Sequence, residues 1–355
     1  MKLTELGWTD FFAEAFAAHA ESGLEPARVT VVNRGACVVH LPDCEVPAEV
    51  SGRFRHESAG PEAFPAVGDW VAVRRTSADS RVLIQHVLPR RTKFARTVAG
   101  RSGEQQILAA NIDTVFLLSS LNHGFNPRRI ERFLTLAWDS GAQPVIVLTK
   151  SDLCANSVEL LREAEIAAAG APVLAISCVT GQGLQSLRPH LRAGQTAVLL
   201  GASGVGKSTL INQLTGEDWQ AVLPVRESDA KGRHTTTRRE LFILPSGGLL
   251  IDTPGLRELQ LWDGAEGLEE TFVDLEAIAV GCRFTDCRHE SEPDCAVRAA
   301  VVSGQVDPAR LASFQKLQRE VAQFGRRHIA RVTTETRSRT KSLNKHAPAP
   351  PKPRR

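Results

Sequence analysis

The stretch Ala197-Val198-Leu199-Leu200-Gly201-Ala202-Ser203-Gly204-Val205-Gly206-Lys207-Ser208-Thr209-Leu210-Ile211-Asn212-Gln213-Leu214 decides the fold. Its four leading apolar residues read as a buried strand, the glycine-rich run as a turn, and the last five as the start of a helix. Strand, glycine-rich turn and helix together form the setting of a phosphate-binding P-loop. Glycines let backbone N–H groups turn inward around a polyphosphate, and the helix N-terminus adds partial positive charge. Gly201 to Thr209 are therefore the candidate nucleotide-binding residues. Lys207 is placed to reach the β- and γ-phosphates, and the Ser208 hydroxyl to bind Mg²⁺.

Around this stretch the chain is ordinary in composition. Its 355 residues call for two or three domains, and 42% hydrophobic with 23% charged residues is a globular balance. No apolar run approaches the roughly 20 residues that span a bilayer, and the first residues, Met1-Lys2-Leu3-Thr4-Glu5, lack a secretory core. A cytoplasmic protein without membrane contact is expected. Seven cysteines, an odd number, argue against a disulfide scaffold.

Residues 9–20 read as an amphipathic helix with Phe12, Ala15, Phe16 and His19 on one face. From 28 to 90 the period changes to short β-branched runs: 28–32, 36–41, 49–55, 69–74 and 81–87, separated by turns such as Asn33-Arg34-Gly35. Four or five such strands suit an OB-type barrel, and Arg53, Arg55, Arg74, Arg75, Arg90, Arg91 and Lys93 make it basic, as an RNA-contacting barrel would be. From about 110, strands at 114–119, 144–149 and 172–177 alternate with helices at 128–138 and 157–169, implying a parallel sheet covered on both faces.

Several loops at the carboxyl ends of these strands carry chemistry. Thr149-Lys150-Ser151-Asp152 resembles the base-reading loop of GTPases, where the Asp carboxylate accepts from guanine N–H groups that adenine lacks. Ser177-Cys178 follows the next strand as a second base-side loop. Asp252-Thr253-Pro254-Gly255 closes an apolar strand; Asp252 is the candidate for holding Mg²⁺ through water and the Gly255 N–H for sensing the γ-phosphate. Between them, Gly232-Arg233-His234-Thr235-Thr236-Thr237 has the position of a switch loop, with Thr236 as a further Mg²⁺ ligand. The order is unusual, because the base-side loops precede the P-loop. The sheet is thus read as circularly permuted, which is physically inexpensive since domain termini lie at the surface. The chain then runs from Asp252–Gly255 directly into its C-terminal segment, a short route for transmitting nucleotide state.

That segment holds Cys282, Cys287, His289 and Cys295 within fourteen residues, a closed Cys₃His set of the kind that binds structural Zn²⁺. Cys37, Cys44, Cys154 and Cys178 are scattered and read as buried structural residues. Helices are expected at 267–279 and 307–325. Residues 326–355 carry ten Lys/Arg against one acidic residue, with four prolines, a tail that binds polyanions and does not fold alone.

Taken together, these residues resemble the circularly permuted GTPases that depend on the small ribosomal subunit, the RsgA/YjeQ family. The resemblance rests on Val67-Gly68-Asp69-Trp70-Val71, Asn111-Ile112-Asp113, Thr149–Asp152, Gly201–Thr209, Gly232–Thr237, Asp252–Gly255 and the Cys-x₄-Cys-x-His-x₅-Cys spacing. It implies an N-terminal OB-fold barrel (28–97, after an extension at 1–27), a permuted α/β P-loop GTPase domain (98–265), a mostly helical zinc-binding domain (266–325) and a basic tail. It also implies a monomer that binds the small subunit and its 16S rRNA, assists late maturation, and hydrolyses GTP to GDP when the subunit stimulates it. Thr149 departs from the Asn common there, which throws guanine selection onto Asp152. Position 256, where Ras-like enzymes keep a water-orienting Gln, is Leu256, so His234 is the candidate for positioning water once rRNA orders its loop. Two other classes fit the same residues: a P-loop ATPase or kinase, and an RNA-binding assembly factor that uses nucleotide only as a conformational switch.

Overall fold

The computed structural model describes residues 2–33, 36–58, 60–76, 81–97, 105–122, 125–154, 156–216, 239–252 and 265–323. The Thr235–Thr237 loop with His234 and Thr236, the positions Gly255 and Leu256, and the basic tail lie outside the described residues.

A 3-10 turn (Leu3–Leu6) and helix α1 (Asp10–Ala20) precede the barrel. Phe12 and Phe16, four apart on one face of α1, are buried against Trp70 and Ala72, and Trp8 meets the Trp70 ring edge-on at 4.6 Å. The barrel strands are β1 (Glu25–Asn33), β2 (Ala36–His40), β3 (Glu45–Val50), β4 (Trp70–Arg75) and β5 (Val82–Val87). They run in the order β1-β2-β3-β5-β4 and close through β1 on β4, around Val29, Val39, Leu41, Val71 and Ile84. The strand expected over 49–55 stops at Val50. Ser51 instead caps a short helix, α2 (Gly52–Glu57), its hydroxyl accepting from the Phe54 N–H at 3.2 Å, and Arg53 pairs with Glu57 one turn on. Capping and an i,i+4 pair here outweigh the β-like composition.

A two-stranded unit follows, β6 (Lys93–Thr97) with β7 (Gln105–Ala110). The sequence pattern did not reveal it, and the expected domain boundary after residue 97 falls between its paired strands.

The main sheet comprises β8 (Thr114–Ser120), β9 (Gln143–Thr149), β10 (Val173–Ala175), β11 (Thr196–Gly201), β12 (Arg239–Ile243) and β13 (Leu249–Asp252). In space the order is β10-β9-β8-β11-β13-β12, all parallel except β12. The chain thus enters at an inner strand, walks outward to β10, and only then returns to lay β11 beside β8. Alternation along the strands sorts side chains into two cores. Val115, Leu117, Val198, Leu200 and Ile251 face helices α3 (Pro127–Asp139) and α4 (Ser157–Ala167). Phe116, Leu118, Ala197, Leu199 and Leu250 face α5 (Lys207–Thr215) and the 3-10 turn Leu184–His190.

The C-terminal helices α6 (Ala265–Thr271), α7 (Val273–Ala279), α8 (Ala296–Val302) and α9 (308–323) extend the α3-side core through Phe272, Leu275 and Phe314. One helix expected over 267–279 is two, broken at Phe272. Gly267 lets α6 lie against α3, since a Cβ there would sit 2.2 Å from the Thr135 carbonyl oxygen. Buried Glu131 of α3 receives Arg310 of α9 at 2.9 Å, and Arg310 also forks onto Asp274 of α7. Among the described residues no helix is long and apolar enough to cross a membrane.

Candidate functional site: a nucleotide cradle and a metal cluster

Parallel pairing brings the carboxyl ends of β8, β9, β11 and β13 to one edge of the sheet, and the chemistry-bearing loops leave from that edge. β8 and β11 approach so closely that a Cβ on Gly201 would lie 2.7 Å from the Leu118 carbonyl oxygen. Gly204 and Gly206 have φ of +74° and +104°, a region that side chains disfavour. Between these glycines the backbone turns over, and α5 starts at Lys207. The Lys207 ammonium donates to the carbonyls of Gly201 (2.7 Å) and Ala202 (2.6 Å), folding the side chain back over its own loop. Ser203 and Gly204 are exposed at the mouth, and Ser208 and Thr209 half-buried behind it.

Thr149 ends β9 fully buried, and its hydroxyl donates to the Val205 carbonyl of the glycine-rich loop at 2.6 Å. The residue that departs from Asn therefore ties the base-side loop to the phosphate-side loop. Lys150 adopts φ +59°, turning the chain so that Asp152 is exposed. The Ser151 N–H donates to the Ile176 carbonyl, joining this loop to Ser177-Cys178. Ser177 is buried, its hydroxyl accepting from the N–H groups of Val179 and Thr180. Burial, then the charge of the Asp152 carboxylate, pushes the Cys178 thiol up to about 11. Asp252 ends β13, beside β11 and opposite Glu240 of β12. The described candidates on this edge thus converge.

The second cluster lies in the segment between α7 and α8. The donor atoms of Cys282, Cys287, His289 and Cys295 all fall within 4.8 Å of one another. His289 Nδ1 is 3.7 Å from Cys282 Sγ and 3.4 Å from Cys295 Sγ, and those two sulfurs are 3.9 Å apart. Tetrahedral thiolate and imidazole ligands at metal-bond length stand about 3.5–3.8 Å apart, so the set fits one ion with four protein ligands. Local structure aims them: His289 takes φ +58°, its carbonyl accepts from Gln315 of α9 at 2.8 Å, and Cys295 caps α8.

Other expectations change. Of the four scattered cysteines only Cys37 is buried, and Cys44, Cys154 and Cys178 are half-buried. Part of the basic barrel set has acidic partners within the chain: Arg75 pairs with Glu25 and Asp43 and Arg53 with Glu57, while Arg81, outside that set, pairs with Glu49. Arg90 forks onto Asp69 and donates to the Glu62 and Phe64 carbonyls, so it is a structural bracket.

Sequence reasoning missed Arg28. Only 1% exposed, its guanidinium donates to the carbonyls of Leu6 (2.8 Å) and Asn111 (3.2 Å) and to the Thr196 hydroxyl (3.2 Å), and lies over the Trp70 ring. Burial lowers its pKa to about 10, against the pull of Asp113 and Asp69. Asn111 at φ +55° and Gly68 at φ +87° complete this junction, Asn111 donating its amide to the Gly68 carbonyl. The Val67–Val71 and Asn111–Asp113 runs were visible in the sequence, but not their meeting.

A P-loop on an inner strand, with base-side loops on strands that precede it in the chain, defines a circularly permuted GTPase with an N-terminal β-barrel and a C-terminal Cys₃His module. Comparison with known proteins agrees. The profile described as RsgA GTPase matches residues 87–262, and one described as 50S ribosome-binding GTPase matches 196–332. A Small ribosomal subunit biogenesis GTPase RsgA of Opitutus terrae is 48% identical over 352 residues, covering 97% of this chain and 96% of its own. The crystal structure of YjeQ from Thermotoga maritima is similar at TM-score 0.64 and 25% identity, covering 84% of this chain and 99% of that one. The structure titled YloQ, a circularly permuted GTPase, matches in fold at TM-score 0.61 and 24% identity, over 84% and 96%. The chain belongs to the RsgA GTPase family.

Proposed function

We propose that this protein is a GTPase that binds the small ribosomal subunit, assists its late maturation, and hydrolyses GTP when the subunit is engaged. The observation that carries the reading is the convergence of Gly201–Thr209, Thr149–Asp152, Ser177-Cys178 and Asp252 on one sheet edge. The near full-length relative bears the small-subunit name, whereas the profile naming the large subunit matches only from residue 196 onward.

In this reading the backbone N–H groups of residues 202–207 and the Lys207 ammonium bind the phosphates. Asp152 accepts from guanine, and the Ser177-Cys178 backbone borders the base. Ser208 and Asp252, with Thr236 from the switch loop, hold Mg²⁺, which when bound neutralises charge on the β- and γ-phosphates. Gly255 senses the γ-phosphate, and His234 positions the attacking water. Because position 256 is Leu, the isolated protein turns over slowly. Cys282, Cys287, His289 and Cys295 hold one structural Zn²⁺; four protein ligands leave no open position for catalysis. The basic residues of 326–355 contact 16S rRNA, and the protein acts as a cytoplasmic monomer.

The test is the GTP hydrolysis rate with and without purified small subunits, using large subunits as control. Acceleration specific to the small subunit, abolished in Lys207→Ala, is expected. Equal rates under all conditions would leave the chain a switch without stimulated turnover, and preference for ATP would overturn the guanine assignment.

A further inference from the structure

Strand β1 belongs to two sheets at once. It closes the barrel on β2 and β4, and beyond β4 the same edge pairs antiparallel with β12, Val31 opposite Glu240 and Val32 opposite Arg239. Glu240 in turn stands opposite Asp252. Val31, Glu240 and Asp252 therefore lie in register on three consecutive strands, which at about 4.8 Å per strand puts the barrel roughly 10 Å from the candidate Mg²⁺ carboxylate. Arg239 directly follows the 217–238 stretch that holds the switch loop in sequence. Three residues before Val31, Arg28 bonds to Thr196, the first residue of the strand that ends in the glycine-rich loop. β1 is thus fastened to the nucleotide-binding sheet at two heights: by ladder pairing near the site edge and by one buried side chain at the opposite edge.

We propose that Arg28 is a positioning residue for subunit-stimulated hydrolysis, holding β1 so that engagement of the barrel is delivered through β12 to the switch loop and Asp252. This rests on the stimulated GTPase reading above. A barrel joined only by the short β1–β12 ladder would pivot about it. The Arg28 fork, reaching a carbonyl of the N-terminal turn, a carbonyl before β8 and a hydroxyl on β11, braces β1 against that rotation, beside the bonds from Ala110 to Val67 and from Asn111 to Gly68 that tie the barrel's 67–68 turn. Lysine cannot make this fork, having a single nitrogen.

The test compares wild type with Arg28→Met and with Thr196→Val, which keeps the fold's shape and removes one acceptor. Hydrogen exchange of the peptide covering 25–33 is measured with GDP and with a non-hydrolysable GTP analogue, in the absence of subunits. In wild type the peptide responds to the nucleotide; in both variants the response is lost while residues 239–243 still respond. In the turnover assay the maximal subunit-stimulated rate falls about tenfold, in the range of ordinary coupling energies. The half-saturating subunit concentration and the intrinsic rate stay unchanged. A wild-type barrel peptide indifferent to nucleotide, or variants with undiminished stimulation, overturns the proposal. Wild type that subunits fail to accelerate would instead sink the functional reading, with the exchange comparison still deciding the coupling.

Discussion

Replacing Thr149 by Val removes one hydroxyl and almost nothing else. The two side chains are close in shape, so no cavity opens, and Thr149 is fully buried beneath the glycine-rich loop. What is lost is the 2.6 Å bond to the Val205 carbonyl. The 3.5 Å approach to the Ser119 carbonyl is too long to count as an alternative. A buried carbonyl left without its donor costs about 1–3 kcal/mol. In the nucleotide-free protein the glycine-rich loop can relax until water reaches that carbonyl. With nucleotide bound, the phosphates fix one loop and the base the other, and relaxation is blocked. The penalty then falls on the complex, and 1–3 kcal/mol weakens GDP and GTP affinity by roughly 5- to 150-fold. Titration of a fluorescent guanine nucleotide reads this directly. Thr149→Ser, which keeps the hydroxyl, binds within about twofold of wild type, since it preserves the donor. Wild-type affinity in Thr149→Val, with the melting temperature also unchanged, would refute the role assigned to this bond.

Asp152→Asn exchanges an acceptor for a donor, so affinity moves from guanosine to xanthosine nucleotides, with guanosine binding falling by about two orders of magnitude or more; competition between the two nucleotides measures it. Stripping the metal with a chelator, or Cys295→Ser, which also alters the α8 cap, unfolds the segment 282–302 while the main sheet keeps its melting transition; thiol-probe reactivity and hydrogen exchange of that segment are the readouts. Burial, then the charges of His19 and Arg53, hold His86 below its usual 6.5, with Glu57 opposing. The unfolded chain therefore binds the proton more readily: the contribution is full above pH 6.5 and lost as pH falls through the lower native value. Urea midpoints should decline below pH 6.5, less steeply in His86→Gln, with His190, which burial and Arg192 shift the same way, acting in the same direction.

The nucleotide edge was readable in advance because each of its parts is local. A glycine-rich turn after an apolar strand, or a Cys-x₄-Cys-x-His-x₅-Cys spacing, announces its own geometry. The permuted strand order followed from the sequence of loops alone. The junction at Arg28 was not readable, since its partners Asn111 and Thr196 lie 83 and 168 residues away and follow no periodic rule. An arginine in a β-branched run reads as solvent-facing until something covers it. Helix α2 was hidden in the same way inside a run with strand composition, where only the Ser51 cap gave it away. Thr149 was noticed as a departure, but its meaning needed Val205 in view. The acidic partners of Arg75 and Arg90 were not legible either, because Glu25, Asp43 and Asp69 sit on other strands or turns.

The shared strand also sets a timetable for synthesis. The barrel, residues 25–87, has all its own strands before β12 is made, yet the Val31–Val32 end of the β1 edge, beyond its pairing with β4, has no partner until β12 emerges about 200 residues after it. At 5–20 residues per second that edge stays open for roughly 10–40 s. An unpaired edge is a template for foreign strands. The permutation lengthens the wait, because β8, β9 and β10 are made before β11, β12 and β13. The nascent barrel thus passes through an aggregation-prone interval, and a chain that stalls before residue 239 leaves a folded barrel with one short stretch of strand edge unpaired.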